Sequence, residues 1–556
     1  MHSRLYMFVQ LALFLGNALA ASAVAPTATL DDATVIGYTN NSVTSFMGIP
    51  FAEPPLGDLR LRLPKPITSY SGTINATQPA TQCIQLPLPI RTDLPPELLQ
   101  DMIAYLEALE TSAGLPQSED CAAGLTVNVQ VPEGTLPGDK LPVIAVTLTH
   151  CRLLLGGFAI GSTAQMPGDG IVQRSVAMGQ PVIFAAMNYR LHAFGFLGGK
   201  EVKEAGVGNL GLHDQREGLR WIHKHIAAFG GDPDRVTIWG PSAGAISVGL
   251  QMVTKGGDTE GLFRGAIMSS GSPLPSGDIT NLQPTYDTIV EHAGCANSSD
   301  TLECLRQVPA DTLLAAAETV PSLFGYPGLA TPWAPRADGV FLEDAPQHLV
   351  LSGSVADVPF ITGDSLDEGT VFASGSFNVT TEDEFRAYVE QFFFSGVPEA
   401  SLAPIFELYP NDPAQGSPFG TGNDNQLAPM YKRMAAFQGD MIFQAPRRFF
   451  LDQRSSQQDT WTFINERGRS GGLGVAHGSD FGAALFGADD LSDYIVQFTA
   501  TLDPNGASNR TIPWPKYDTV YRQALHIVEE GLNIGNDTLR LAAMDGLTAL
   551  SIAFPL

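Results

Sequence analysis

The chain has 556 residues, 44% hydrophobic and 16% charged, which supports a large core and excludes a disordered chain. Its 58 acidic residues against 31 basic ones give a formal net charge of −27. That field repels nucleic-acid phosphates and anionic membrane surfaces, so neither is an expected partner.

Residues 1–20 open the chain with a weakly basic start, Met1 to Arg4. An apolar run follows, Leu5 to Ala20, closing on the small-x-small site Ala18-Leu19-Ala20. This is a secretory signal peptide pattern, and the mature protein is expected outside the cell. No later run reaches the roughly 18 apolar residues that a membrane helix needs. N-x-[ST] sequons at Asn40, Asn75, Asn297, Asn378, Asn509 and Asn536 agree with a glycoprotein. Secretion permits disulfides, and the five cysteines, Cys83, Cys121, Cys151, Cys295 and Cys304, leave one over.

Residues 21–556 read as one catalytic domain, without repeat, low-complexity tract or clear linker. Between Pro96 and Glu110, residues Leu99, Met102, Ile103, Leu106 and Leu109 recur at helical spacing with acids between them. Leu141 to Leu148, Val182 to Met187 and Val236 to Trp239 read as strands. Arg216 to Phe229, between the last two, reads as a helix. Strand, helix, strand implies a parallel sheet covered by helices, an α/β architecture.

The strongest chemical signal is Gly240-Pro241-Ser242-Ala243-Gly244. It follows the strand ending at Trp239 and opens a helix-compatible stretch, Ser242 to Val253. Such a sharp strand-to-helix turn needs small neighbours and lifts the serine oxygen above the sheet edge. The helix start also favours developing negative charge. Serine needs a base, and the base needs an orienting acid, in the chain order Ser, acid, His. His477 lies in a tight loop, Gly474 to Asp480. His526 falls in a helical pattern and reads as structural. Glu368 follows the apolar strand Val358 to Thr362, with Asp364 and Asp367 as competitors on spacing.

At these residues the chain resembles the type-B carboxylesterase/lipase family, which includes cholinesterases and fungal secreted lipases. The blocks carrying the resemblance are Phe46 to Pro55, Ser118 to Cys121, Asn209 to Arg216, Phe229 to Pro233, the Ser242 turn, Asp367 to Thr370 and His477 to Asp480. The resemblance implies the α/β-hydrolase fold, a large mostly parallel sheet flanked by helices. It implies a carboxylic ester hydrolase, either lipase or broad esterase, without metal or organic cofactor. Carried over residue by residue, it implies the triad Ser242, Glu368 and His477 and the disulfides Cys83–Cys121 and Cys295–Cys304. It also implies two scaffold ion pairs, Arg60 with Glu119 and Arg190 with Asp214. The oxyanion donors it implies are the backbone N–H groups of Gly156, Gly157 and Ala243. The amphipathic helix inside the loop 83–121 resembles the mobile flap of the family's lipases, which meets a lipid surface transiently; a helix fixed on the core is the competing reading. Phe372, just past Glu368, is a candidate for the acyl pocket and equally for the core, and Phe392-Phe393-Phe394 reads as buried packing.

Three departures stand against the pattern: Pro241 before the serine, Ala122-Ala123-Gly124 after Cys121, and the stretch Val146 to Leu154 with Leu155 ahead of Gly156. The last contains the unpaired Cys151. Its codons are compatible with a translated intron, Leu148-Thr149 with a CTAAC string and Cys151-Arg152 with a terminal CAG; a genuine insertion is the alternative. A non-catalytic interaction protein, as in adhesion members of the family, is the alternative function. Acting on small or aromatic esters without lipase action is the alternative specificity.

Overall fold

The computed structural model describes residues 25–87, 91–107, 117–119, 121, 124–147, 156–163, 168–506, 508 and 510–556. Apolar, β-branched runs build one sheet of 11 strands among these residues. In chain order they are β1 (Tyr38–Asn40), β2 (Val43–Ala52), β3 (Leu125–Pro132), β4 (Leu141–Thr147), β5 (Ile183–Met187) and β6 (Gly231–Pro241). Then come β7 (Gly265–Ser269), β8 (Phe360–Ser365), β9 (Thr460–Asn465), β10 (Gln523–Val528) and β11 (Gly531–Asn536). Across the sheet the order is β11-β10-β9-β8-β7-β6-β4-β5-β3-β2-β1. The strands from β5 to β10 in that order are parallel, and the strands beyond them at both edges pair antiparallel. Strands β5, β7, β8 and β9 are buried at every residue, because helices cover both faces. This is the α/β-hydrolase fold.

The expected helix from Arg216 starts earlier, spanning Leu210–His225, and its last turn tightens to a 3₁₀ turn at Ile226–Phe229. Two glycines hide the early start. A Cβ on Gly211 would stand 2.4 Å from the Phe196 ring, and one on Gly218 2.6 Å from the Met187 sulfur. The helix needs these glycines to pack on the sheet, although glycine lowers helix propensity. Strand β8 begins at Phe360 rather than Val358, directly after Pro359, which has no N–H to donate. His526 lies in strand β10, not in a helix; its neighbours Leu525 and Ile527 are buried and the chain pairs with β9 and β11.

Cys83 bonds Cys121 and Cys295 bonds Cys304. The first bridge lies beside the short parallel pair Gln82–Cys83 with Gln117–Ser118, closing the base of the loop that holds the helix Pro96–Glu107. Arg60 and Glu119 meet through Nη2 and Oε2 at 2.8 Å. Arg190 grips Asp214 with two bonds of 2.8 and 2.6 Å. Asn40, Asn75, Asn297, Asn378 and Asn536 are exposed. Asn509, Cys151, Leu109, Glu110, Ala122, Ala123 and the stretch 148–155 lie outside the described residues.

Candidate active site

Strand β6 ends at Pro241 and a helix starts at Ala243, leaving Ser242 alone between them at φ 53°, ψ −126°. Such backbone costs a non-glycine residue about 1–3 kcal/mol. Its surroundings hold it there: the Ser242 N–H donates to Ser269 O at 2.9 Å, across the neighbouring strand β7. A Cβ on Gly240 would lie 2.4 Å from the Gly244 carbonyl carbon, so the turn closes only with a bare backbone. Pro241 stays within the strand, in register with Ser269.

The Ser242 hydroxyl lies 2.8 Å from His477 Nε2 and donates to it. On the other side of the ring, His477 Nδ1 donates to Glu368 Oε2. Glu368 is reached just past the end of β8, and its other oxygen accepts the Ser365 N–H at 2.6 Å. The two competing acids are engaged elsewhere. Asp364 accepts from Arg447 Nε at 2.8 Å, and Arg447 also bonds Asp537. Asp367 accepts from Ser417 Oγ at 2.8 Å, the Phe419 N–H at 2.7 Å and the Val475 N–H at 2.9 Å. Asp367 therefore ties down the loop two residues before His477, and Glu368 alone of the three reaches the imidazole.

His477 and Glu368 are buried. Burial lowers the imidazole to about 4, against the pull of the Asp480 and Asp364 charges. Burial raises the Glu368 carboxyl to about 8, resisted by bonds from Ser270 and the Ser365 N–H and by the Arg447 charge. Burial thus keeps the imidazole neutral and able to accept a proton. Asp480 is likewise pushed up to about 7, by burial and by the Glu368 charge.

Beside Ser242 is a cavity of about 30 Å³, room for a water or two. Gly157, Ala243, Leu323, Phe372, Ile442 and Phe443 are among its lining. Gly157 has φ +48°, and a Cβ there would meet Leu323 at 2.7 Å. Gly156 lies outside that lining, its carbonyl accepting the N–H groups of Ala159 and Ile160. The structure thus brings Gly157 and Ala243 to the wall beside the serine.

Several neighbours escaped the sequence reading. Ile442 and Phe443 sit on a π-helical turn, Asp440–Gln444, between the helices Tyr431–Gly439 and Ala445–Arg454. Pro446 lacks the N–H that would bond the residue 442 carbonyl, and its ring crowds that carbonyl, which widens the turn. The Phe443 ring centroid lies 4.5 Å from the His477 ring, and that of Phe372 5.2 Å. A proline inside a helical pattern was the available signal. Tyr105 also escaped: its hydroxyl donates to the His477 carbonyl at 3.1 Å. From the same helix, Asp101 accepts the Gly472 N–H at 2.9 Å. Leu98, Met102 and Leu106 are buried, while Ile103 faces out. Phe393 and Phe394 are buried, as the packing reading expects.

A family model described as "Carboxylesterase family" matches residues 25–542. The chain is 41% identical over 551 residues to Secreted lipase 1 of Botryotinia fuckeliana, covering 95% of this chain and 93% of that protein. It is 39% identical over 508 residues to a secreted triacylglycerol lipase of Gibberella zeae, covering 88% and 84%. Among solved structures, Aspergillus niger EstA superposes with a TM-score of 0.80 at 26% identity, covering 96% of this chain and 99% of EstA.

Proposed function

Because the chain belongs to the carboxylesterase family, a group of carboxylic ester hydrolases, we propose that Ser242, His477 and Glu368 are the residues with which this secreted serine hydrolase works. Ser242 Oγ attacks the ester carbonyl while His477 Nε2 takes its proton. The oxyanion forms against the N–H groups of Gly157 and Ala243, with Gly156 supporting the turn. His477 returns the proton to the leaving alcohol, and water, activated in the same way, frees the acid from the acyl-serine. Glu368 holds the imidazole in the tautomer whose Nε2 is bare. The observation that carries this reading is the unbroken chain of hydrogen bonds from Ser242 Oγ through the His477 ring to Glu368. An interaction protein has no use for a strained serine joined to a neutral imidazole.

The test is Ser242→Ala, expected to lower kcat on a short-chain p-nitrophenyl ester by about 10⁶ while leaving Tm unchanged. Comparable turnover by the folded variant overturns the assignment.

Residues 21–556 form, in this reading, one catalytic domain, with 83–121 as its flap. Acylglycerols at a lipid surface are the proposed substrates. The support is the flap helix, whose apolar face is buried while it bonds the loop bearing His477. The names of the relatives point the same way. Activity on tributyrin measured across its solubility limit tests this: a jump at the emulsion point is expected, and a smooth saturation curve favours a plain esterase.

A further inference from the structure

We propose that Gln85 is a positioning residue for the oxyanion turn: from the base of the loop 83–121 its side-chain amide holds Gly161 and thereby fixes where the Gly157 N–H points. The proposal rests on the reading of Gly157 as an oxyanion donor.

The turn has little to hold it from within. Residues 156–161 belong to no helix or strand. Their internal bonds among the described residues converge on the Gly156 carbonyl, from Ala159 at 2.8 Å and Ile160 at 3.1 Å. Gly157, Phe158 and Gly161 all have positive φ, 48°, 59° and 131°. For a bulky residue such as Phe158 that backbone is strained, and it persists only where the surroundings overdetermine it.

Three consecutive residues just past Cys83 supply those surroundings. Gln85 Nε2 donates to the Gly161 carbonyl at 2.7 Å, and Gln85 Oε1 accepts the Gly161 N–H at 2.9 Å. The Leu86 N–H donates to the Ala159 carbonyl at 3.1 Å. The Ile84 carbonyl accepts from His192 Nε2 at 3.0 Å, and the His192 N–H in turn donates to the Phe158 carbonyl at 2.7 Å. None of these bonds uses the N–H of Gly157, the glycine that lines the cavity at Ser242.

Gln85 differs from its two neighbours in gripping one residue of the turn with both ends of its amide, and in being aimed itself. The second Nε2 hydrogen goes to Gln82 Oε1 at 2.9 Å, and the Gln85 N–H goes to Gln117 Oε1 at 2.9 Å. Gln82 and Gln117 are register partners in the short parallel pair that closes the loop. A flipped amide would set donor against donor at Gly161 and acceptor against acceptor at Gln82, so one orientation is fixed. Both roots of the disulfide loop thus reach the oxyanion turn through a single side chain. The chemistry needs that stiffness, because oxyanion donors act at about 2.7–3.1 Å and a misplacement of about 1 Å costs about 10² in rate.

The test compares wild type, Gln85→Met, Gln85→Glu and Gln117→Ala on p-nitrophenyl butyrate and with an alkyl trifluoromethyl ketone. The Ser242 hydroxyl adds to that ketone carbonyl, its proton passing to His477 Nε2, and a hemiketal alkoxide forms where the oxyanion would. The matching methyl ketone, which binds without adding, is the control. Acylation and deacylation both pass through an oxyanion, so Gln85→Met is expected to lower kcat by about tenfold to a hundredfold with KM within about twofold of wild type. Its affinity for the trifluoromethyl ketone should fall by about the same factor, and that for the methyl ketone should not change. Gln85→Glu turns an acceptor toward the Gly161 carbonyl and is expected to lose at least as much. Gln117 is exposed, and Gln117→Ala removes only the acceptor of the Gln85 N–H, so a loss in kcat of about twofold to fivefold is expected. Wild-type kcat in the folded Gln85 variants overturns the proposal, as does a loss confined to KM and shared by both ketones. Where the Gln85 variants do not fold, wild-type kcat in Gln117→Ala overturns it. A wild type that binds the trifluoromethyl ketone no better than the methyl ketone overturns instead the oxyanion reading beneath it.

Discussion

Glu368 and Asp367 are adjacent, both buried, and do different work. Glu368→Gln keeps the shape but can present an amide N–H to Nδ1, which favours the wrong imidazole tautomer, so kcat is expected to fall by about 10³ to 10⁴. Asp364→Asn removes a partner of Arg447 rather than of His477, so it should lower Tm more than kcat. Asp367→Asn weakens three bonds that pin the histidine loop, and an intermediate loss of kcat is expected. Kinetics and melting curves of the three variants side by side check the order; a larger kcat loss in either asparagine variant than in Glu368→Gln contradicts it. The same burial sets the pH response. The base must be neutral, and a His477 lowered to about 4 stays neutral well below the ordinary value of 6.5. The acid limb of kcat/KM, followed by titration of released acid over short exposures, is therefore expected below about pH 5. A limb centred near 6.5 or above would mean that the Glu368 contact outweighs burial.

At the scale of elements, the helix Pro96–Glu107 is bonded to the histidine loop through Tyr105 and Asp101, and in the flap reading these bonds are its latch. Ser242 is 6% exposed and His477 is fully buried, so the serine has little access as the chain stands. Replacing Tyr105 by Phe removes the bond to the His477 carbonyl, and Asp101→Asn weakens the one to Gly472. Each net bond contributes about 0.5–1.5 kcal/mol, so either variant should hydrolyse dissolved tributyrin about threefold to tenfold faster and show a smaller jump at the emulsion point. Slower hydrolysis of both forms would make the helix a support for His477 instead. Strand β4 carries a second element-scale question. It pairs with β6 through Val146 and with β5 through Thr147, so Val146 and Thr147, read from the sequence as the start of the extra stretch, belong to the strand. A chain in which β4 leads directly into Gly-Gly-Gly-Phe is expected to gain about 10² to 10³ in kcat/KM, the effect of restoring one oxyanion donor, the Gly156 N–H, a residue outside the lining at Ser242. Without Cys151 it should also run as a cleaner monomer on non-reducing gels. Equal activity and equal bands would make the stretch a tolerated insertion.

Over the whole molecule, what the sequence disclosed followed from how local each signal is. The Ser242 turn was readable because its glycines and the flanking strand are contiguous. The histidine and acid loops were readable as short blocks, but choosing Glu368 from its neighbours by spacing was not, since Arg447, Ser417 and Val475 claim the rivals from far along the chain. Ile442, Phe443 and Tyr105 reach the site only through folding. Stability against pH is a property of this same buried set. Asp364 and Asp480 are raised to about 7 and Glu368 to about 8, each first by burial. An acid with a raised folded value binds its proton earlier when folded, so stability rises as pH falls through 8 and 7 toward the unfolded values near 4. Burial lowers His192, His213 and His477 to about 4, which has the opposite sign. Below about 6.5 the unfolded chain takes those protons and the folded one does not. These six oppose one another between about 6.5 and 4, where Asp169, Asp338, Asp367 and Asp489, also raised first by burial, add to the acids and His225, lowered first by burial, to the histidines. Below that, Glu260 is held at about 2 by its bonds from Lys255 and the charges of Arg216 and Arg220, against its burial, so further acid removes stability. With a net charge of −27, self-repulsion also eases as acids protonate. Tm is therefore expected to rise from pH 8 to about 6.5, to stay nearly level to about 4 and to fall below. Calorimetric scans at constant ionic strength from pH 3 to 9 check this; a maximum at pH 8 or above would show that the buried acids remain charged in the fold.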